Sequence, residues 1–249
     1  MFDLWRTWLR ERLQTSPFPS RETSFPARFR GRPVLSCSGR EALPVLDLGA
    51  CLFSPEEEVE FDGCTLSYSS DIRMAARNRK DLLTSTGSPQ LARALDAQMQ
   101  KLLGRSLRLR SVVAGSCGGC EAELAALSNV VFDMGRFGVQ FVASPRHADG
   151  IVITGVVNQN MADAIERTYA ALPDPRIVIA VGACAASGGP FWGSDAIAGI
   201  PPTIPVDLWI PGCPPHPLTV LDGLMRLLGR QDRFERGDKS VDADGMERT

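Results

Sequence analysis

The stretch LRLRSVVAGSCGGCEAEL, residues 107–124, decides both the predicted fold and the predicted site. Its first half has the pattern of a strand, and a Cys-x-x-Cys pair, Cys117 and Cys120, follows directly before a helical pattern. Two single cysteines also follow apolar runs, Cys184 in VGACAASGG (181–189) and Cys213 in IPGCPP (210–215). One pair and two single thiols, each after a predicted strand, indicate a four-thiolate metal site.

Strands and helices alternate from residue 101 onward. The predicted strands are 107–115, 139–144, 150–157, 176–183 and 206–212, and the predicted helices are 121–134, 161–172 and 217–228. Nearly continuous apolar strands with short connections are typical of a parallel sheet covered on both faces. The sequence therefore predicts an α/β fold with a flavodoxin-like, doubly wound parallel sheet.

The cysteines are expected to meet because ligands collect beyond the carboxyl ends of parallel strands. Glycines beside them allow the backbone to approach a bulky group closely. A structural zinc site and metal-free burial are the alternatives. Zinc sites more often combine two Cys-x-x-Cys pairs, so the pattern here favours iron–sulfur.

Composition limits the class of protein. An apolar content of 44% supports a packed core, and a net charge of −2 without a basic stripe argues against nucleic-acid binding. No apolar run reaches the roughly 20 residues of a membrane span. The N-terminus has no signal-peptide pattern, so we expect a cytoplasmic address, where burial or metal explains cysteines better than disulfides.

Three regions are predicted along the chain. Residues 1–105 comprise a short amphipathic helix with Phe2, Trp5, Leu9 and Leu13 on one face, an arm rich in Ser, Pro, Arg and Gly (15–45), and a further segment. Residues 106–229 form the α/β domain. Residues 230–249 are a loose polar tail.

Four stretches carry a family resemblance: GSCGGCEAEL (115–124), RFGVQFVASPRHADGIVITGVV (136–157), PDPRIVIAVGACAASGG (173–189) and IPVDLWIPGCPP (204–215). They resemble the small, electron-transferring subunit of group 4 membrane-bound [NiFe]-hydrogenases of the formate hydrogenlyase type, relatives of the 20 kDa subunit of complex I. Complex I relatives begin the motif with adjacent cysteines, whereas this chain separates them as the hydrogenase branch does.

The resemblance implies one 4Fe-4S cluster on Cys117, Cys120, Cys184 and Cys213. It implies a non-catalytic subunit of an oxidoreductase complex, with a [NiFe]-hydrogenase-like large subunit and further iron–sulfur and membrane subunits as partners. The expected location is the cytoplasmic side of the cell membrane, held there by those partners. The rival interpretations are the equivalent subunit of a quinone-reducing complex without nickel, and a zinc-binding scaffold.

The N-terminal region resembles the polyferredoxin subunit that accompanies these hydrogenases, in FRGRP (29–33), VLDLGACLF (45–53) and LSYSSDIRMAARNRKDLL (66–83). Cys51 keeps the first ligand position of one cluster motif, and the next three positions hold Ser54, Glu57 and Phe61. We therefore predict a degenerate ferredoxin that binds no cluster, with Cys37, Cys51 and Cys64 as non-ligands.

Several further side chains are candidates for tuning the cluster. Glu121 falls in the first turn of the predicted helix after Cys120, where capping alone also explains a carboxylate. Arg146 and His147 follow a predicted strand and could donate hydrogen bonds near the cluster. By the resemblance, the loops carrying Arg136, Phe137, Arg146 and His147 should lie near the cluster or the large subunit.

Overall fold

The computed structural model describes residues 15–19, 23–37, 44–54, 60–61, 63–85, 89–103, 106–115 and 117–230. The predicted N-terminal amphipathic helix and the polar tail after residue 230 lie outside these residues. The strands are β1 Pro33–Cys37, β2 Leu46–Asp47, β3 Glu60–Phe61, β4 Cys64–Tyr68, β5 Leu83–Thr84, β6 Leu107–Val113, β7 Val139–Phe141, β8 Gly150–Thr154, β9 Ile177–Val181 and β10 Leu208–Ile210. The α-helices are α1 Ala97–Leu103, α2 Gly119–Ala126, α3 Gln159–Ala170, α4 Ala183–Ser187 and α5 Pro217–Leu227.

The main sheet has five parallel strands in the order β10-β9-β8-β6-β7. The chain runs from β6 outward to β7 and then returns to β8 on the other side of β6, which is the flavodoxin-like order. The register aligns the last residues of four strands: Val113 with Thr154, Thr154 with Val181, and Val181 with Ile210. The predicted α/β fold with a doubly wound parallel sheet is confirmed, and its carboxyl ends form one level edge.

Two apolar clusters cover the two faces of this sheet. One contains α2 and α5 residues such as Leu124 and Leu221, packed with Leu107 and Ile179. The other contains Ile165 of α3, packed with Ile151 and Val178. All five residues of β8 and of β9 are buried, which explains why these strands are almost uniformly apolar in sequence.

Helix α2 is shorter than predicted, ending at Ala126 instead of continuing to residue 134. The Asn129 side chain accepts hydrogen bonds from the backbone N–H groups of Val131 and Phe132, at 2.8 and 3.0 Å. Such side-chain bonds to the local backbone compete with helical hydrogen bonding. Asp133 then adopts a left-handed φ of 43°, so the chain turns before a short 3₁₀ segment over Met134–Phe137.

The N-terminal region contains two small antiparallel sheets, β1-β4-β3 and β2-β5. In the first, Cys37 lies directly opposite Cys64, with Cα atoms 4.0 Å apart, and the two sulfur atoms form a disulfide. The expectation that the cysteines would not pair as disulfides is therefore wrong for these two. Strand pairing places them side by side, which no spacing in the sequence indicates.

Part of the N-terminal region joins the core of the α/β domain. Ala76 pairs with Trp209 of β10 through two backbone hydrogen bonds of 3.0 and 2.8 Å. Ala75, Ala92 and Leu95 belong to the same apolar cluster as α5. The residues around position 76 are therefore fixed against the edge of the main sheet.

Among the residues that the model describes, none of the helices combines the length and the apolar character that crossing a membrane requires.

Candidate metal centre

Four cysteines follow the aligned carboxyl edge of the main sheet. Cys117 and Cys120 come after β6, Cys184 lies in α4 directly after β9, and Cys213 comes after β10. Strand β6 is also where the sheet reverses its winding direction, the position at which open α/β sheets bind ligands. The predicted convergence of these loops is seen in the structure.

Backbone contacts connect the cysteine loops to one another. The Gly182 N–H donates to the Ile210 carbonyl, and the Ala183 N–H donates to the Gly212 carbonyl, each at 2.8 Å. On the other side of the site, a Cβ placed on Gly119 would lie 3.6 Å from the Cγ atom of Pro214. The three cysteine-bearing segments therefore touch each other at one place.

Two glycines leave space for the sulfur atoms. Gly182 has a φ of +91°, and a Cβ built on it would lie 2.6 Å from the Sγ atom of Cys120. Gly189 has a φ of +55°, and its Cβ would lie 2.8 Å from the Sγ atom of Cys184. A side chain at either position would occupy the volume of a thiol, so the backbone here is shaped around sulfur.

The thiols also influence one another electrostatically. Burial raises the pKa of Cys120 to about 12, with further contributions from Glu121 and the other three thiols. Burial and the charges of Cys213 and Cys117 raise the pKa of Cys184 in the same direction. Four neighbouring thiolates repel each other, and a bound cationic centre would offset the free-energy cost of that repulsion. The donor set therefore fits a metal centre that takes four thiolates.

An iron–sulfur cluster and a single zinc ion require different spacings of their ligands. Within the described parts of the chain, no group of three or more His, Cys, Asp or Glu side chains could hold one metal ion. The ligands of a four-iron cluster surround a cube, so they stand farther apart than four ligands of one tetrahedral zinc ion. Four thiolates are a donor set that both kinds of centre accept, and metal analysis of the protein distinguishes them.

The site lies at the surface of the chain. Cys117 is exposed, Cys184 and Cys213 are half-buried, and Cys120 is buried. Beside the Cys184 loop, Phe191 and Trp192 are exposed by 61% and 80%. The site is therefore open to the surface, and two exposed aromatic side chains follow Cys184 in sequence.

Glu121 is held beside the site by Thr154, whose hydroxyl donates to its carboxylate. Thr154 is fully buried at the end of β8, between the strands that precede the cysteines. The prediction that Glu121 lies by the cysteines is consistent with this placement. The hydrogen bond from Thr154 to Glu121 could not be predicted from the sequence, because it depends on β8 lying next to β6 in the sheet.

Arg146 and His147 are not brought to the cysteines. They form an exposed 3₁₀ turn, Pro145–His147, directly before β8. The register pairs Gly150 with Leu109 at the amino ends of the strands, opposite the cysteine edge. Strand β7, which precedes this turn, is short and pairs only with the first residues of β6. The chain therefore leaves β7 near the amino ends of the neighbouring strands.

Arg136 contacts the N-terminal arm within this chain. Its guanidinium donates to the carbonyls of Ser16 and Phe18 at 2.8 and 2.9 Å, and Phe18 is buried against Phe137. Arg136 thus fixes the N-terminal arm to the α/β domain.

His216 caps α5 three residues after Cys213. Its Nδ1 atom accepts a hydrogen bond from the Leu218 N–H at 3.2 Å, and the rings of Phe25, Phe29 and Phe132 surround it edge to face. Burial lowers the pKa of His216, which favours the neutral imidazole that this bond requires.

Comparison with known proteins gives a consistent picture. Residues 117–227 match the model of the family described as NADH ubiquinone oxidoreductase, 20 Kd subunit. The chain is 41% identical over 143 residues to the probable membrane-bound hydrogenase subunit mbhJ of Pyrococcus furiosus, covering 57% of this chain and 86% of the relative. It is 40% identical over 157 residues to formate hydrogenlyase subunit 7 of Escherichia coli, covering 60% of each.

A third relative belongs to a different complex. An NADH-quinone oxidoreductase subunit of Heliobacterium modesticaldum is 47% identical over 110 residues, covering 43% of this chain and 63% of the relative. The family match over residues 117–227 contains all four cysteines and four of the five strands of the main sheet, β7 to β10. The chain belongs to the family of the 20 kDa subunit of NADH ubiquinone oxidoreductase, which includes subunits of membrane-bound hydrogenases.

Proposed function

We propose that this chain is the iron–sulfur electron-transfer subunit of a membrane-associated, complex I-like [NiFe]-hydrogenase. One 4Fe-4S cluster would be held by Cys117, Cys120, Cys184 and Cys213. The observation that carries the proposal is the convergence of these cysteines on one edge of the sheet, with glycine backbone shaped around their sulfur atoms.

A bound 4Fe-4S cluster supplies one-electron transfer. The protein's part is to hold four thiolates in place, to keep side chains out of their volume at Gly182 and Gly189, and to set the surrounding charge. Glu121, fixed by Thr154, is the carboxylate that lies nearest in sequence to the pair. Catalysis would take place on the partner large subunit, which would meet the exposed side of the site.

The hydrogenase interpretation rests on two features. The relatives named above include a membrane-bound hydrogenase subunit and a formate hydrogenlyase subunit. The separated pair Cys117 and Cys120 also resembles the hydrogenase branch more than the adjacent cysteines of complex I. We further propose that the chain associates with the cytoplasmic side of the membrane through partner subunits.

A quinone-reducing complex without nickel is the second candidate, favoured by the identity to the NADH-quinone oxidoreductase relative. Both candidates use this chain in the same way. They differ in the partner. Only in the first candidate does the large subunit contain nickel and react with hydrogen.

Exposure of the purified complex to hydrogen gas separates the two candidates. We expect hydrogen to reduce the cluster of this chain, so that its paramagnetic signal appears without dithionite. The control is the same complex under argon. A cluster that dithionite reduces and hydrogen does not would contradict the hydrogenase assignment, and nickel analysis of the same sample would then be expected to show none.

A further inference from the structure

Arg79 connects the N-terminal region to the helix that carries Cys184. It begins a 3₁₀ turn, Arg79–Leu82, in the segment that pairs with β10 at Ala76. The pairing fixes the backbone near Arg79 against the main sheet. Its side chain then extends to α4, 107 residues further along the chain.

The guanidinium of Arg79 uses its donors on two partners. The Nε–H group donates to the Ala186 carbonyl at 2.8 Å. The two terminal nitrogens donate to the carboxylate of Asp47 at 2.8 and 2.6 Å, a bidentate pair. A planar fork with both partners in place fixes the guanidinium more firmly than a lysine ammonium could be fixed.

Asp47 is itself held in position. The Gly49 N–H donates to its carboxylate at 2.9 Å. A Cβ on Gly49 would lie 2.8 Å from the Arg79 guanidinium, so only glycine allows the backbone to approach the guanidinium this closely. Asp47 and Gly49 thus both contact the Arg79 guanidinium and leave it little freedom to move.

The partner in α4 needs an external donor. Helix α4 has five residues, Ala183–Ser187, and so short a helix is marginal without outside support. The carbonyls of its last turn lack partners within the helix, and a cation is favourable at that end. Arg79 satisfies the Ala186 carbonyl, two residues after Cys184.

We propose that Arg79 is a positioning residue for the Cys184 ligand, held by Asp47, and that the degenerate ferredoxin-like region thereby stabilises the cluster of its own chain. This inference rests on the proposed cluster. It assigns the N-terminal region a role within this polypeptide in addition to any contact with other subunits.

The test uses the full-length chain carrying its cluster and three variants: Arg79→Gln, Arg79→Lys and Asp47→Asn. The matched control is Arg73→Gln, because Arg73 forms a comparable bidentate pair with Asp71, at 2.8 Å for both bonds, within the same segment. The readouts are the rate of iron loss to a chelator, the midpoint potential of the cluster and the thermal unfolding temperature.

We expect Arg79→Gln to lose iron about tenfold faster than wild type, which corresponds to about 1.4 kcal/mol, because a charge-assisted hydrogen bond to the ligand-bearing helix is lost. The iron-loss rate of Arg79→Lys should lie between those of wild type and Arg79→Gln, and the rate of Arg73→Gln should match that of wild type. The potential should fall in Arg79→Gln, which leaves Asp47 unpaired, and rise in Asp47→Asn, which leaves the arginine charge unpaired. Loss of folding alone would move both variants in the same direction.

Equal iron-loss rates in Arg79→Gln and Arg73→Gln would overturn the positioning role, as would potential shifts of the same sign in Arg79→Gln and Asp47→Asn. A wild-type chain that holds no cluster would instead contradict the proposed function itself. The two failures are therefore distinguished by the wild-type sample.

Discussion

Replacement of Cys184 with serine is expected to abolish the iron–sulfur signal of the chain. Cys184 is the only ligand that α4 supplies, and it lies between the loop after β6 and the loop after β10. Serine provides a harder, poorly ionised oxygen in place of a thiolate, and the three remaining thiols cannot close a four-cysteine site. Iron analysis and electron paramagnetic resonance of the purified chain measure the loss.

Cys51→Ser is the matched control for this experiment. Cys51 is also outside the disulfide, is 7% exposed, and its sulfur lies 3.5 Å from the Tyr68 hydroxyl in the N-terminal region. The substitution should leave both the iron content and the spectrum unchanged. Full iron content in Cys184→Ser, or loss of the signal in Cys51→Ser, would show that the ligand assignment is wrong.

Substitution of Gly182 with alanine has the second-largest expected effect. The added methyl group would lie 2.6 Å from the Cys120 sulfur, at a φ of +91°. Overpacking costs about 1–3 kcal/mol, and a backbone with this φ and a ψ of 158°, a combination that essentially only glycine adopts, adds about 1–3 kcal/mol. Because Cys120 must move to relieve the contact, we expect cluster occupancy to drop at least several-fold, measured as iron per chain.

Gly193→Ala separates the two causes of that loss. Gly193 has a similar φ of +83°, but a Cβ there would have no neighbour within 4 Å. Gly193→Ala therefore introduces a side chain at positive φ without the contact to sulfur. We expect it to retain the wild-type iron content with a slightly lower unfolding temperature. If the two alanine variants lost the same amount of iron, the close approach of Gly182 to Cys120 would have no bearing on the site.

The sheet and the position of the four cysteines along its carboxyl edge could be predicted because their signals are local. Strands such as Ile177–Val181 are buried on both faces and so are apolar throughout, and each cysteine follows one of them within a few residues. Parallel strands then bring their carboxyl ends to one edge. The end of α2 was mispredicted because Asn129 caps the following turn, a choice that apolar periodicity does not reveal.

The contacts that could not be predicted join distant parts of the chain. The Cys37–Cys64 disulfide and the contact of Arg79 with Ala186 depend on how the N-terminal strands pair and dock. Arg146 and His147 show the converse error. Their position after a strand suggested the ligand edge, but the shortness of β7 leaves them at the other end of the sheet.

The disulfide bears on the degenerate ferredoxin interpretation. While it is intact, the sulfur atoms of Cys37 and Cys64 are bonded to each other and not to a metal. A second cage formed by Cys37, Cys51 and Cys64 would require its reduction and a further ligand. The prediction that these three cysteines are not cluster ligands stays a prediction, which metal analysis can test.

The most direct test of the central claim is the content of iron and acid-labile sulfide in the full-length chain, purified anaerobically and free of other subunits. A single site on Cys117, Cys120, Cys184 and Cys213 predicts about four iron and four sulfide per chain, with one cluster signal on reduction. Eight or more iron atoms per chain, or stoichiometric zinc with no iron, would contradict the account.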